Sequence, residues 1–319
     1  MDRIKLFLEN LLDEEIEQLV PLSGGASAEI TKIITKNRAE YVLRRSAYLG
    51  KSQLAIPKLL ESKIQSEVLK YGVPVPRIIV DFEEDNEIGE GYIMESIIGE
   101  TIPRKILRDE KYDSCRGKLL FQIGASLAKI HNTSTKELCN LKKASFHDSL
   151  DELYKLYLSF ENPQPVFDLT FKYLQKENLI EYEDVLVHGD FRLGNFIISE
   201  HGLESIIDWE LAHIGNPIED LAWLCVKSWR FGNTKDRAGG LGSLDSLLEG
   251  YQSISNLKID KTQLDIWQMY GSLKWGIICM VQTFAHLSGE IKSLEKAAIG
   301  RRVSETECDL MEMIKNNIF

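Results

Sequence analysis

The sequence predicts an α+β chain of two lobes, a small β-rich N-terminal lobe and a larger, mostly helical C-terminal lobe. Three observations carry this. Short runs rich in Ile, Val and Tyr are confined to the first hundred residues. After Gly99 the apolar spacing becomes helical. One short β-like island, Val185 to Asp208, then interrupts the helices.

In chain order, Ile4, Leu8, Leu11 and Leu12 fit one face of an amphipathic helix. β-like runs follow at Gln18 to Leu22, Glu29 to Thr35 and Glu40 to Arg45. A helix is expected over Ile56 to Tyr71, stopped by Pro74 and Pro76, which impose an extended entry to the next run. Two more strands are expected at Arg77 to Phe82 and Gly91 to Ile97, so this part reads β-β-β-α-β-β after the first helix. Leu119, Ile123, Leu127 and Ile130 mark a helix over Tyr112 to His131. Further helices are expected near 147–160, 164–178, 217–229, 243–254, 260–287 and 291–316. The boundary between residues 1–99 and 100–319 falls near Ile98 to Thr101, directly after a strand. Two lobes joined by one short link leave a cleft between them, a favoured place for ligands.

The chain has 319 residues, 44% hydrophobic and 27% charged, enough for a buried core and a solvated surface, which excludes a mainly disordered chain. Its 49 acidic against 38 basic side chains give a net charge of −11. Basic residues are scattered, so neither nucleic acid nor an anionic membrane is an expected partner. The five cysteines form no C-x-x-C pair and no disulfide framework, which suits a reducing, cytoplasmic setting. Acidic residues interrupt the first apolar stretch, so it does not read as a signal peptide. The apolar segment Ile266 to Leu287 contains Gln268, Lys274, Gln282 and His286 and reads as a buried helix rather than a membrane span.

The chemistry concentrates in His188-Gly189-Asp190-Phe191-Arg192-Leu193-Gly194-Asn195, followed by Ile206-Ile207-Asp208-Trp209-Glu210. Asp190 and Asn195 are five residues apart, and Asp208 lies thirteen further on. Apolar pairs flank each polar group, so the polar residues stand at the ends of short buried strands. Phosphoryl transfer needs metal ligands, a group that orients the attacking hydroxyl, and positive charge on the phosphates. Asn195 and Asp208 offer the hard oxygens that Mg²⁺ takes beside substrate phosphates. Asp190 offers a carboxylate to accept or orient a hydroxyl proton.

On these residues the sequence resembles the aminoglycoside phosphotransferase and choline kinase family, which has the protein-kinase-like fold. The H-G-D-x-x-x-x-N segment keeps the Asp-to-Asn spacing of the kinase catalytic loop, and Asp208-Trp209-Glu210 stands where kinases have D-F-G. Gly215-Asn216-Pro217 leading to Asp220-Leu221-Ala222 also looks like that family. Ile299-Gly300-Arg301-Arg302-Val303 is similar to the subset found as kinase domains associated with acyl-CoA dehydrogenases.

The resemblance implies ATP and Mg²⁺ as cofactors, a nucleotide-binding N-lobe and an acceptor site in the C-lobe. It makes Asp190 the catalytic Asp and Asn195 and Asp208 the metal ligands. Ser23, Gly24, Gly25, Ala26 and Ser27 resemble the loop whose backbone N–H groups cover the ATP phosphates. A plain glycine-rich hairpin turn is the alternative. Val42 and Arg44 share one strand face, and Arg44 stands where most kinases carry Lys; Arg45 is the alternative. Glu61 matches the carboxylate partner on the next helix, with Glu67 as competitor. Backbone groups of Glu95 and Ile97 are implied to meet adenine. Arg192 would bring positive charge to the transferring group or to an anionic acceptor, the alternative being a salt bridge within the loop. His188 would fix the loop and Asp220 would hold it from the next helix.

The expected activity is transfer of the γ-phosphate of ATP to a hydroxyl of a small molecule: an amino sugar, amino alcohol or hydroxyacyl compound. A nucleotide-binding regulatory module without turnover is the alternative, motivated by Arg44. A protein kinase ranks lowest, because H-R-D, D-F-G and A-P-E are absent. Trp229, Arg230, Tyr270 and Trp275 are candidates to line the acceptor pocket or to pack the core. Arg301 and Arg302 could meet an anionic acceptor or pair with Glu305 or Glu307. The other histidines, among them His131 and His213, show no ligand spacing.

Overall fold

The computed structural model describes residues 2–22, 28–46, 55–85 and 88–318. The predicted phosphate loop, Ser23 to Ser27, lies outside the described residues.

Helix α1 (Asp2–Leu12) buries Leu8 and packs Phe7 edge-on against Phe82, at 5.2 Å between ring centroids. Strands β1 (Ile16–Leu22), β2 (Ala28–Thr35) and β3 (Glu40–Ser46) form a meander. Helix α2 (Lys58–Lys70) comes next, then β4 (Ile78–Asp85) and β5 (Gly89–Glu95). The five strands make one sheet in the order β1-β2-β3-β5-β4, with every pair antiparallel. Because alternate side chains point to opposite faces, Leu43 and Ile93 turn into a small core with Leu8, Ile16, Ile33, Phe82 and Ile88. Val42 and Arg44 stand on the other face.

The helical part comprises α3 (Pro103–Arg108), α4 (Asp113–His131), α5 (Phe146–Leu158) and α6 (Pro165–Leu174). After the β island come α7 (Ile218–Cys225), α8 (Leu244–Gln252), α9 (Lys261–Leu287), α10 (Leu294–Ile299) and α11 (Arg302–Ile318). Ser145 and Asp148 close a reciprocal capping box at the start of α5. At 27 residues, α9 is roughly 40 Å long and forms the spine of the lobe. Among the described residues no helix is long and apolar enough to cross a membrane. Cys115, Cys225 and Cys279 are buried thiols, while Cys139 and Cys308 are exposed.

Several predicted boundaries are corrected. The strand expected to reach Ile97 ends at Glu95. The helix expected over 217–229 stops at Cys225 because Val226 is extended (ψ 134°), and a 3-10 turn follows at Lys227–Arg230. The last helix breaks at Gly300 into α10 and α11, and α3 was not expected at all. The two cores do not divide cleanly at residue 99. Ile64, Val68, Val73 and Val75 pack into the large helical core. The Ile206 N–H also donates to the Pro74 carbonyl at 2.8 Å. The helix after β3 is thus built into the C-lobe while its outer turn serves the sheet.

Helices α4 and α8 approach until backbone meets backbone. A Cβ on Gly124 would stand 2.1 Å from the Leu247 carbonyl oxygen, and one on Gly250 would stand 2.1 Å from that of Phe121. Neither obstacle is a flexible side-chain end. Gly124→Ala is therefore expected to lower stability by about 1–3 kcal/mol despite its better helix propensity. Urea unfolding measures this, and an unchanged or raised midpoint would contradict the close approach.

Candidate active site

Two small two-stranded sheets place the predicted motif. Strands β6 (Val185–Val187) and β9 (His213–Gly215) pair antiparallel, as do β7 (Phe196–Ser199) and β8 (Gly202–Ile206). Phe196 pairs with Ile206, so the residues just outside that pair, Asn195 and Ile207, face each other, and the Ile207 N–H donates to the Asn195 carbonyl at 2.9 Å. The loop 188–195 and the loop 207–212 therefore leave the strands side by side, which brings Asn195 next to Asp208. Asp208 itself has φ 71°, a left-handed conformation that is uncommon for a residue with a Cβ. Gly189 has φ 81°, and a Cβ there would lie 2.3 Å from the Leu211 carbonyl oxygen, so only glycine lets the two loops touch.

Asp220, fully buried near the start of α7, locks the first loop. Its carboxylate accepts the His188 N–H at 2.8 Å and the Gly189 N–H at 2.9 Å. His131 from α4 supports it at 3.3 Å through Nε2, with Nδ1 2.8 Å from the Tyr251 hydroxyl. His188 turns its Nε2 to the Ile207 carbonyl at 3.1 Å and so ties the two loops together.

The Asp190 carboxylate receives three side-chain donors. Trp223 Nε1 donates to Oδ1 at 2.8 Å, Arg192 Nε donates to Oδ1 at 2.9 Å, and Asn195 Nδ2 donates to Oδ2 at 2.6 Å. Arg192 lies 4.5 Å over the Trp229 ring. Of its two predicted roles, the salt bridge within the loop is the one this geometry displays.

Arg44 is the hub on the N-lobe side. Its Nε donates to Glu61 at 2.8 Å, and its Nη2 donates to Asp208 at 2.6 Å and to Glu210 at 2.9 Å. Its side chain is only 5% exposed and that of Glu61 is 0% exposed. Lys58 and Tyr92 also contact Glu61, the tyrosine donating at 3.1 Å. Burial works against the Arg44 charge, but Glu61, Asp208, Tyr92 and Glu210 outweigh it and hold its pKa above the ordinary arginine value. The alternatives raised by the sequence point elsewhere. Arg45 pairs with Glu29 and donates to the Ile88 carbonyl at 2.6 Å, and Glu67 pairs with Lys70. The Glu95 N–H donates to the Arg77 carbonyl at 3.0 Å and is thus already engaged. Ile97 lies in the link between the lobes, past the end of β5.

Other expectations are redistributed. Tyr270 is buried against Phe146 and Trp267, and Arg230 donates to the Cys225 and Thr234 carbonyls, so both serve packing and turn geometry. Trp229 and Trp275 pack with their rings inclined at 59° and centroids 4.6 Å apart, and Trp229 lies under Arg192. Arg302 pairs with Glu305 at 3.2 Å. Sequence reasoning missed Lys58, Tyr92, Glu210, His131, Trp223 and Lys274. Trp223 was findable, since it is three residues after Asp220 and shares its helix face. The others needed contacts between distant segments.

A second buried network lies behind Trp223. Glu219 pairs with Lys274 at 3.1 Å and with His213 Nε2 at 3.2 Å, and the Lys274 ammonium lies 5.1 Å over the Trp223 ring. Burial would raise the Glu219 pKa, but Lys274 and His213 outweigh it and pull it down to about 2. His213 faces acceptors on both nitrogens, Glu219 and the Leu211 carbonyl, so despite burial its pKa is raised.

The comparisons with known proteins agree with this architecture. Residues 18–255 match the model of the phosphotransferase enzyme family, and the chain belongs to that family. It is 28% identical over 230 residues to the human acyl-CoA dehydrogenase family member 11, covering 63% of this chain and 29% of that protein. Against the Pongo abelii protein of the same name, identity is 28% over 267 residues, 72% of this chain and 33% of that one. The chain thus spans about a third of the length of the curated relatives it matches. Among solved structures, a putative aminoglycoside phosphotransferase from Ralstonia eutropha superposes with TM-score 0.71 at 19% identity, covering 99% and 98% of the two chains. A spectinomycin phosphotransferase in complex with ADP and spectinomycin gives 0.70 at 14% identity, covering 97% and 98%. A choline/ethanolamine kinase family protein from Mesorhizobium loti gives 0.65 at 18% identity, covering 98% and 94%. At these identities the structural likeness establishes the bilobal kinase-like fold.

Two outcomes are expected. Arg44→Ala leaves a buried Glu61 short of its forked partner, and unfolding in urea should show a loss of about 3–5 kcal/mol. Arg44→Lys should lose less, because an ammonium can keep Glu61 but cannot fork to three carboxylates. An Ala variant with the wild-type midpoint would contradict the hub. The raised His213 pKa stabilises the fold fully below the unfolded value of about 6.5, and this contribution is lost as pH rises through the folded value. The stability advantage of wild type over His213→Gln should therefore shrink from pH 6 to pH 9. A difference independent of pH would refute the charged pairing.

Proposed function

We propose that the chain is an ATP- and Mg²⁺-dependent phosphotransferase that moves the γ-phosphate of ATP to a hydroxyl of a small molecule. Residues 1–99 form the nucleotide-binding lobe, and residues 100–319 carry the catalytic loop and the acceptor site. The observation that carries this reading is the Asp190 carboxylate, fixed by Trp223, Arg192 and Asn195 in a loop adjacent to Asp208.

The donor set suits the metal. Asn195 spends its side-chain nitrogen on Asp190, which leaves its side-chain oxygen Oδ1 as an acceptor. Arg44 takes only Oδ1 of Asp208, whose side chain is 27% exposed. Two hard oxygens beside substrate phosphates and water are a usual Mg²⁺ environment. Bound Mg-ATP supplies the phosphoryl group and the charge that neutralises its oxygens. Asp190 would accept the hydrogen bond of the acceptor hydroxyl, orient it toward the γ-phosphorus and take its proton as the new O–P bond forms and the bond from the γ-phosphorus to the bridging oxygen breaks, with ADP leaving. Arg44 holds Asp208 in place from the N-lobe, and Glu61 holds Arg44. Val42 shares the Arg44 face of the sheet, where adenine would pack, with the Glu95 carbonyl and the Ile97 N–H at its edge. By sequence, Ser23 to Ser27 add backbone N–H groups for the phosphates. The acceptor class spans amino sugars and amino alcohols, which the names of the structural neighbours favour, and hydroxyacyl compounds, which the names of the curated relatives favour.

Calorimetric titration with ATP, with and without Mg²⁺, tests the nucleotide half of this reading, and metal-dependent binding is expected. Asp190→Ala should then cut turnover by roughly 10²–10⁴-fold while ATP affinity stays near that of wild type. Full turnover by that variant would end the proposal for Asp190.

A further inference from the structure

Next to the catalytic loop lies a cavity of about 800 Å³ whose walls come from α3, the turn after α7, and α11. Arg104, Arg108, Lys227 and Arg302 line it, against two carboxylates, Glu305 and Asp309. Those carboxylates are committed. Asp309 pairs with Lys227 at 2.8 Å, and Glu305 pairs with Arg302 at 3.2 Å. Arg104 and Arg108 have no ion pair among the described residues. They are spaced i, i+4 on α3, where like charges are neighbours and repel. Ile106 is buried between them, and Arg116 anchors the end of the helix on the Ile106 and Asp109 carbonyls, so the helix cannot easily turn the pair away. Both arginines are exposed at one side of the cavity, and each guanidinium carries a fork of donors that suits an anion.

The helix that forms one wall of the cavity starts against the catalytic loop. A Cβ on Gly194 would stand 2.7 Å from Arg192 Nη1 and 3.9 Å from Pro103 Cγ, so the Arg192 guanidinium and the first residue of α3 meet at one spot. Arg192 is the ion-pair partner of Asp190 and stacks on Trp229, which follows the cavity residues Lys227 and Ser228 in the chain.

We propose that this cavity is the acceptor site and that it selects an alcohol bearing a phosphate or carboxylate group, with Arg104 and Arg108 as the specificity-determining pair. This rests on the phosphotransfer reading above and narrows its acceptor. The net charge of −11 would draw cations to the chain as a whole, but the cavity reverses that sign locally and would repel an amino sugar. The anionic group sits on Arg104 and Arg108 and leaves the hydroxyl to reach Asp190 past Arg192.

The test is calorimetric titration, without nucleotide, of three probes that share a diol: glycerol 3-phosphate, glycerate and 3-aminopropane-1,2-diol. Wild type should bind one or both anions at least tenfold more tightly than the amine, and the stronger of the two identifies phosphate or carboxylate as the recognised group. Arg104→Gln/Arg108→Gln should lose at least tenfold for the anions, with ATP affinity unchanged as evidence that it folds. Tighter binding of the amine, no binding of either anion by wild type, or equal anion binding by the double variant would each overturn the proposal. Failure of ATP to bind would instead overturn the phosphotransfer reading, and it is read in a separate titration.

Discussion

Everything at the candidate site depends on one buried carboxylate. Asp220 is enclosed in the large core, and an ionised group there is tolerated only where donors surround it. The donors it collects are the first two N–H groups of the catalytic loop and a ring nitrogen of His131. Satisfying Asp220 therefore fixes the backbone of His188 and Gly189, which fixes where Asp190 begins. The same helix that carries Asp220 carries Trp223 one turn later, and the indole N–H of Trp223 reaches the Asp190 side chain. One helix thus sets both the backbone and the carboxylate of the residue on which the chemistry depends.

Arg44 plays the corresponding part for the other lobe. A lysine at this position would gather its three donors at one compact point, whereas a planar guanidinium spreads its donors to bridge Glu61 on α2 with Asp208 and Glu210 on the second loop. The departure from the usual lysine therefore comes with an extra carboxylate, Glu210, and with Lys58 as a second cation on Glu61. Charge is redistributed within the cluster without being lost. Because α2 also packs its inner face into the helical core, this cluster sits at the point where the sheet, the helix and the catalytic loops share contacts. Changes in Arg44 should be felt in both lobes.

The electrostatics of the chain differ by place. Its surface is acidic overall, its interior holds matched networks such as Glu219 with Lys274 and His213, and the cavity beside α3 is locally basic. Net charge describes approach over distances longer than the Debye length. What a pocket accepts is decided by the few charges that face it.

The sequence by itself determined the lobes, the five N-terminal strands and the motif around Asp190, Asn195 and Asp208, because these rest on local periodicity and short-range spacing. The resemblance of its motifs also pointed to Arg44 with Glu61, leaving Arg45 and Glu67 as alternatives, since strand alternation alone says only that Val42 and Arg44 share a face. The break after Cys225, the short α3, and the partners Lys58, Glu210, His131 and Lys274 were decided by tertiary structure alone. Each follows from contacts between residues far apart in the chain, as between Arg44 and Asp208 or His131 and Asp220. The register of Phe196 with Ile206 likewise determines that Asn195 meets Asp208. Arg104 and Arg108 read as ordinary surface charges until α11 and the turn after α7 close a cavity around them. Spacing along a chain limits which groups can share a face, but only packing decides what that face meets.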